Sequence, residues 1–342
     1  MELIKIDGAC GEGGGQIVRS AVTLSCLTQK PVEIVNIRQN RKVPGLRPQH
    51  LTGIKILAKI CNAKVEGLSV GSTTIRFFPS KIDDMQLKED IGTAGSIPLI
   101  LQILIPSVSI SKKKLKISIT GGADVLWSPT SDYTRFVLRE AYSRLGINFH
   151  MDVERRGYYP RGGGIINVEV FPREKISPIS ILKRTSKSVK ILCSYSGISS
   201  QLIEQQITEA KNILLNAGFD CDYQIKQESA YDKGCSFLVY TFDENCIIGS
   251  DIINGKEMNN IGRLVATRFL ESTLGVDQFL SDMLVIPLCL TDGESVFRVN
   301  QITKHLETNL FVTTEILNCK YGIGKIDNGF EVRIVGNSNT GI

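Results

Sequence analysis

The sequence predicts an α/β protein of the α+β type: a large domain of three βαβαββ repeats, with a small α/β domain inserted in the third. Three observations predict it: the order of apolar periods near the N-terminus, the recurrence of that order, and the uneven spacing between the copies. With 342 residues, 42% of them apolar, the chain can bury a large core, enough for roughly two domains at about 100–200 residues each.

The first copy is read as a strand at Leu3–Asp7, a helix at about Gln16–Leu27, a strand at Val32–Ile37, a helix from about Gln49, and strands near Lys64 and Thr74. The second runs through a helix at Ser96–Ser107, a strand at Leu115–Thr120, a helix at Asp132–Leu145, and paired strands at Asn148–Arg155 and Ile165–Phe171. The third closes the chain. It has helices at Phe279–Leu290 and Thr308–Asn318 around a strand at Val296–Gln301, then a hairpin, Tyr321–Lys325 with Phe330–Val335, across the turn Asp327-Asn328-Gly329. The second helices of the three copies lie roughly 82 and then roughly 176 residues apart, so about 94 extra residues enter the third copy. The boundaries follow: 1–180 and 277–342 form the large domain, and 181–276 form the inserted one. Within the insertion, a polar stretch Lys183–Lys190 precedes an amphipathic helix Gln201–Ala217 and strands at Phe237–Thr241 and Cys246–Gly249.

Composition excludes several classes. No apolar run approaches the roughly 18 residues a bilayer span needs, and the nearest, Ile97–Ile110, carries Gln102 and two prolines. Glu2 and Asp7 stand where a secretory signal is basic and then apolar, so export is not expected and the protein reads as cytoplasmic, with no membrane partner. A net charge of +5 is too mild to demand or exclude a polyanion. Nine cysteines without a C-x-x-C pair give no local zinc or redox motif, and disulfides would need the exception that hyperthermophile proteins make to the reduced cytosol.

Chemistry concentrates in a few segments. Gly8-Ala9-Cys10-Gly11-Glu12-Gly13-Gly14-Gly15 places five glycines in eight residues between a strand and a helix that carries Arg19. Backbone amides at such a helix start suit phosphate, although neither G-K-[ST] nor G-x-G-x-x-G is present, and a tight structural turn is the alternative. A carboxylate there, Glu12, suits a divalent cation between itself and phosphates. The segment Arg38–His50, RQNRKVPGLRPQH, holds Arg38, Arg41, Lys42 and Arg47 with no acidic residue. It is either a phosphate-binding loop or a solvated basic one. Of the three histidines, His150 sits in a strand pattern, and His305 is read in the connection between a strand and a helix. No G-x-S-x-G elbow or Cys-His pairing supports a hydrolase.

Together these segments resemble the RNA 3′-terminal phosphate cyclases, the RtcA family. The resemblance is carried in order by DGACGEGGGQIVRSA (7–21), IRQNRKVPGLRPQHL (37–51), AGSIPLILQILIP (94–106), RRGYYPRGGG (155–164) and KHLETN (304–309). It implies repeats similar to the C-terminal domain of bacterial translation initiation factor 3. It also implies ATP-dependent conversion of an RNA 3′-phosphate into a 2′,3′-cyclic phosphodiester, with RNA as partner and Mg²⁺ or Mn²⁺ as metal. The family's nucleophilic histidine, in H-x-x-T-N, falls on His305, and its metal-binding glutamate on Glu12. Arg19 and Gln102 fall on nucleotide-pocket positions, Pro129 and Phe279 on the pair that sandwiches adenine, and Asp282 on a further pocket position. Phe279 departs from the tyrosine common there. Arg38, Arg41, Gln49 and His50 fall on positions that handle the phosphate of the RNA end or pyrophosphate. The RGYYPRGGG segment is read mainly as a turn, with Arg155, Arg156 and Arg161 as candidate contacts to RNA backbone. Two alternatives stand beside this: a ribosome-biogenesis branch of the superfamily that lacks the histidine, and an enolpyruvyl-transferase-like enzyme built from similar units. The oligomeric state is open, a homo-oligomer included. The cyclase reading needs the N-terminal glycines and His305 in one cleft.

Overall fold

A computed structural model describes residues 3–254 and 260–337; Glu2, invoked against a signal sequence, lies outside them. The chain is mixed α/β, with four four-stranded sheets among the described residues.

The first sheet is formed by β1 (Ile4–Asp7), β2 (Val32–Val35), β3 (Lys64–Glu66) and β4 (Ile75–Phe78), joined through α1 (Gly15–Thr28) and α2 (Pro48–Ile60). Its strand order is β1-β2-β4-β3, with β1 and β2 parallel and the other pairs antiparallel. The second is formed by β5 (Met85–Asp90), β6 (Leu115–Gly121), β7 (Phe149–Arg155) and β8 (Gly164–Val170), with order β5-β6-β8-β7. Its helices are α3 (Ile97–Ile110) and a π-helical stretch, Tyr133–Leu138, that continues into α4 (Arg139–Arg144). The sequence pattern missed β5, whose alternation MQLKED is mostly polar. Parallel pairing to β6 along its whole length holds it.

After a two-residue β9 (Ser180–Ile181) the chain enters β10 (Ser188–Ser196), α5 (Ser200–Asn216), β11 (Asp220–Gln227), β12 (Gly234–Asp243), β13 (Cys246–Asn254) and α6 (Ile261–Glu271). These strands make a sheet of order β11-β10-β12-β13. The chain then forms α7 (Gln278–Leu288), β14 (Glu294–Val299), α8 (Lys304–Leu317), β15 (Lys320–Ile326) and β16 (Gly329–Val335), and β14 pairs in parallel with β9. The order β9-β14-β16-β15 matches that of the first sheet. One face of the β10–β13 sheet packs on α5 and α6 around Val189, Ile207, Phe237 and Phe269, a cluster separate from the main core. Its other face adds Leu192, Leu238 and Tyr240 to that main core.

Helices are started by side chains where the sequence offers them. Ser96, Asp277 and Thr303 accept hydrogen bonds from the first-turn amides of α3, α7 and α8. α1 has Gly14 at its N-cap and no side-chain cap, so its first amides stay open toward the glycine loop. α1 packs against both α3 and α8, and α7 packs against α8. These contacts bring the two ends of the chain together. Among the described residues no helix is long and apolar enough to cross a membrane.

Candidate active site

The glycine loop is clamped between α8 and α2. Gly11 and Gly13 both have φ of 59°, where a Cβ is costly. A Cβ on Gly11 would stand 2.4 Å from Thr308 Oγ1, and one on Gly15 would stand 2.2 Å from His50 Nε2. The Glu12 amide donates to Thr308 Oγ1 at 3.2 Å, while Asn40 Nδ2 donates to the Ala9 carbonyl at 2.9 Å. In the first turn of α1, Gln16 Nε2 donates to Asn309 Oδ1 at 2.9 Å.

His305 is not in a connection, as the sequence pattern suggested, but in the first turn of α8. Thr303 Oγ1 accepts from the Leu306 amide at 2.9 Å, so the helix starts four residues earlier than the apolar period indicated. Asp282 on α7 locks this turn from behind. Its carboxylate accepts from the Thr303 hydroxyl, and its carbonyl accepts from Asn309 Nδ2 at 2.7 Å. His305 Nδ1 lies 2.9 Å from Glu12 Oε2, but the angle makes no hydrogen bond, and both buried atoms lack a hydrogen-bond partner. Arg41 reaches the other oxygen of Glu12. Nε2 of His305 has no protein partner among the described residues, and the side chain is 42% exposed.

The electrostatics keep this imidazole neutral. Burial lowers the pKa of His305, the Asp282 carboxylate works against that, and the Arg19 and Arg41 guanidiniums add to it. Burial brings Arg19 down to about 10, and its Nε is buried without a partner. Burial, with Arg19, Arg38 and Arg47 nearby, pushes His50 down to about 3. His50 Nδ1 accepts from the Arg47 amide at 3.2 Å, which leaves Nε2 carrying the proton, toward Gly15. Arg38, with φ of 55°, donates to the Val43 and Gly45 carbonyls at 2.9 and 3.1 Å and so fixes the shape of its own loop. Gln49 accepts from the Ser96 amide at 3.4 Å. Arg19, Gln49 and His50, with Leu99, Ile100 and Ile103, line a cavity of about 10 Å³, room for one water.

A hydrogen-bonded chain runs from the residue after Pro129 to the backbone of Phe279. Beside Pro129, the Thr130 amide donates to Asp251 Oδ2 at 2.6 Å, and Thr130 Oγ1 accepts from the Tyr133 amide at 3.0 Å. The Tyr133 hydroxyl donates to Asp277 at 2.8 Å, and Asp277 Oδ1 caps α7 through the Phe279 amide at 2.9 Å. The Phe279 ring is 41% exposed, one turn before Asp282. Gln102 sits partly buried on α3, with no hydrogen bond among the described residues.

Burial pushes Asp251 up to about 7, with Thr130 opposing. Its ordinary value is about 3.9, so the stability it supplies is complete below pH ~4 and lost as pH rises through ~7. Asp251→Asn keeps the acceptor and cannot ionise. Its melting temperature relative to the natural chain is expected to climb from pH 4 to pH 8; a constant difference would mean that Asp251 ionises normally.

Thr303, Thr308, Asn309, Gln16 and Asn40 were not singled out from the sequence. The first three lie in or beside KHLETN, so the segment was visible although their bracing role was not. Arg156, a candidate RNA contact, proves wholly buried. It pairs with Asp124 at 2.8 Å, with Asp132 at 2.9 Å and with Glu228. Burial alone would lower its pKa, but these carboxylates override that and hold it well above the ordinary range. All nine cysteines are free thiols, and Cys289 and Cys319 Sγ lie 3.2 Å apart.

No group of three or more His, Cys, Asp or Glu side chains is placed to hold a metal among the described residues. Glu12 stands alone, with one buried oxygen unsatisfied. It therefore fits a Mg²⁺-type ion only if phosphate oxygens and water complete the shell, which is that ion's habit.

Fold and site together define a mixed α/β protein in which a neutral imidazole and a carboxylate meet near the starts of two helices, with guanidiniums around them. The description of the RNA 3′-terminal phosphate cyclases matches residues 10–323. Relatives named RNA 3′-terminal phosphate cyclase include those of Methanococcoides burtonii, 38% identical over 97% of this chain and 100% of theirs, and Pyrobaculum aerophilum, 35% over 97% and 98%. That of Pyrococcus furiosus is 37% identical over 97% and 99%. The chain belongs to the RNA 3′-terminal phosphate cyclase family.

Proposed function

We propose that this protein uses ATP to convert an RNA 3′-terminal phosphate into a 2′,3′-cyclic phosphodiester, through a covalent His305-AMP intermediate. The observation that carries it is the approach of His305 to Glu12 across the glycine loop, with Nε2 left free. Nε2 of a neutral imidazole attacks the α-phosphorus of ATP, and pyrophosphate leaves. An oxygen of the RNA 3′-phosphate then takes the adenylyl group, and the imidazole departs neutral. The 2′-hydroxyl attacks the 3′-phosphorus, loses its proton and expels AMP. That step is intramolecular, and effective molarities of very roughly 10⁵ M or more reduce the need for a strong base.

Arg19 and Gln102 serve the nucleotide phosphates or pocket. Pro129 and Phe279 hold adenine, with Asp282 fixing the turn that carries His305. Arg38, Arg41, Gln49 and His50 hold the phosphate of the RNA end or pyrophosphate; the neutral His50 ring donates from Nε2. Mg²⁺ or Mn²⁺ held by Glu12 would offset charge on the departing pyrophosphate. The equal strand orders support three βαβαββ repeats, similar to the C-terminal domain of initiation factor 3, in a large domain of residues 1–180 and 277–342. The separate apolar cluster supports 181–276 as an inserted domain.

The test is incubation of 3′-phosphorylated RNA with ATP and Mg²⁺, scoring ends that resist phosphatase. Conversion that needs ATP supports the proposal. No conversion with any ATP and metal combination speaks for a non-catalytic assembly factor or a small-molecule transferase. Glu12→Ala is expected to slow metal-dependent adenylylation by about 10²-fold or more with little change in melting temperature, because removing it exposes no apolar core. Equal loss of stability and activity would make Glu12 a brace of the loop instead.

A further inference from the structure

We propose that the hairpin between β7 and β8, together with the β11–β12 loop, forms a stacking platform for single-stranded RNA, taking the nucleotides just 5′ of the reacting end. The proposal rests on the cyclase reading for the identity of that end.

The platform is continuous with the basic loop. A Cβ on Gly95 would stand 3.1 Å from Gln49 Cβ, and one on Gly162 would stand 2.8 Å from Ala94 Cα. The hairpin tip therefore touches the segment that touches Gln49. On the tip, Tyr159 is 72% exposed and has no ring contact among the described residues. Tyr231, 52% exposed, lies on Gly163, whose added Cβ would meet its ring at 2.5 Å. The Arg155 guanidinium stacks 4.2 Å from the Tyr231 centroid and donates to the Gly163 carbonyl at 2.8 Å. The Arg161 amide and Nε bond the two oxygens of Asp232 at 2.9 and 3.0 Å, and Lys233 next to it is exposed.

Two exposed tyrosines on adjoining loops, one of them, Tyr231, flanked by the Arg155 and Arg161 guanidiniums, make a surface on which unpaired bases stack beside positive charge. Duplex RNA hides its base faces, so the occupant is a single strand. The platform is also rigid. The Arg156 amide donates to the Ser229 carbonyl at 3.2 Å, and its buried guanidinium grips Glu228, so the hairpin and the β11–β12 loop move as one piece. The segment between β9 and α7 thereby contributes to RNA binding, since it supplies Tyr231.

The test measures binding of 3′-phosphorylated oligonucleotides of two and eight residues by fluorescence anisotropy, for the natural chain, Tyr159→Ala and Tyr231→Ala, with self-adenylylation as a control. The eight-residue strand is expected to bind more tightly than the dinucleotide. Each variant should lose about five- to a hundred-fold affinity for the longer strand and almost none for the shorter, with adenylylation unchanged. Tyr159 is 72% exposed and its ring has no aromatic or cation contact among the described residues, so its variant keeps the fold even if the Tyr231 variant loosens the loop. Affinity independent of length, or Tyr159→Ala binding eight residues as tightly as the natural chain, overturns the platform. Failure of self-adenylylation alongside the expected binding pattern would instead overturn the catalytic reading and leave the platform standing.

Discussion

His305→Ala is expected to abolish transfer of the α-phosphate label of ATP to the protein, a loss of at least about 10³-fold, while the chain melts within about 1 kcal/mol of the natural one. The reason for the split is geometric. The fold around this residue is held by Thr303, Asp282, Thr308 and Asn309, and the imidazole makes none of those hydrogen bonds. Removing the ring takes away the imidazole whose Nε2 is free among the described residues, and it leaves α8 capped by Thr303. Electrophoresis of denatured protein after incubation with labelled ATP reads the transfer directly. Label that survives the substitution would remove His305 from its role. A large drop in melting temperature would mean that the ring is a structural part of the α8 start.

Arg156→Met is expected to be the most destabilising single change among those named, by about 3–5 kcal/mol, or about 4–8 °C in melting temperature. Arg156 is fully buried between Asp124 and Asp132, with Ser194 also accepting from it at 2.9 Å. Methionine fills part of the volume but leaves the two aspartates buried without their cation. Each is then a buried carboxylate without its partner, which is what makes the loss large. A deficit below about 1 kcal/mol would show that the pairs merely break even against an apolar side chain. Label transfer to the protein should persist in the variant below its melting temperature, since the partners of the Arg156 side chain, Asp124, Asp132, Ser194 and Glu228, belong neither to the glycine loop nor to the start of α8.

Much of the fold was legible because its elements are locally decided. The β1–β4 unit announces itself through strict alternation, a glycine loop and Pro48 at the head of α2. What stayed hidden was decided by tertiary pairing. β5 is a strand only because β6 lies alongside it, and the π-helical stretch Tyr133–Leu138 is tied through the Tyr133 hydroxyl to Asp277, far along the chain, a contact that no local pattern records. The site divides in the same way. The glycines, Glu12 and the arginines of 38–47 could be named from residue chemistry, but their meeting with His305 spans nearly the whole chain and came from the resemblance alone. Arg156 shows the opposite failure. An arginine in a glycine-rich hairpin reads as a contact for nucleic acid because charged side chains are rarely fully buried, and here three carboxylates from distant segments bury it. Its neighbours Arg155 and Arg161 remain at the surface.

The most direct measurement is to adenylylate the natural chain with ATP and Mg²⁺, digest it under mildly alkaline conditions, and locate the adduct by mass spectrometry. An acid-labile AMP on a ring nitrogen of His305 is the expected result. AMP mapped to the neighbouring Lys304, or to any residue away from the glycine loop, would contradict it.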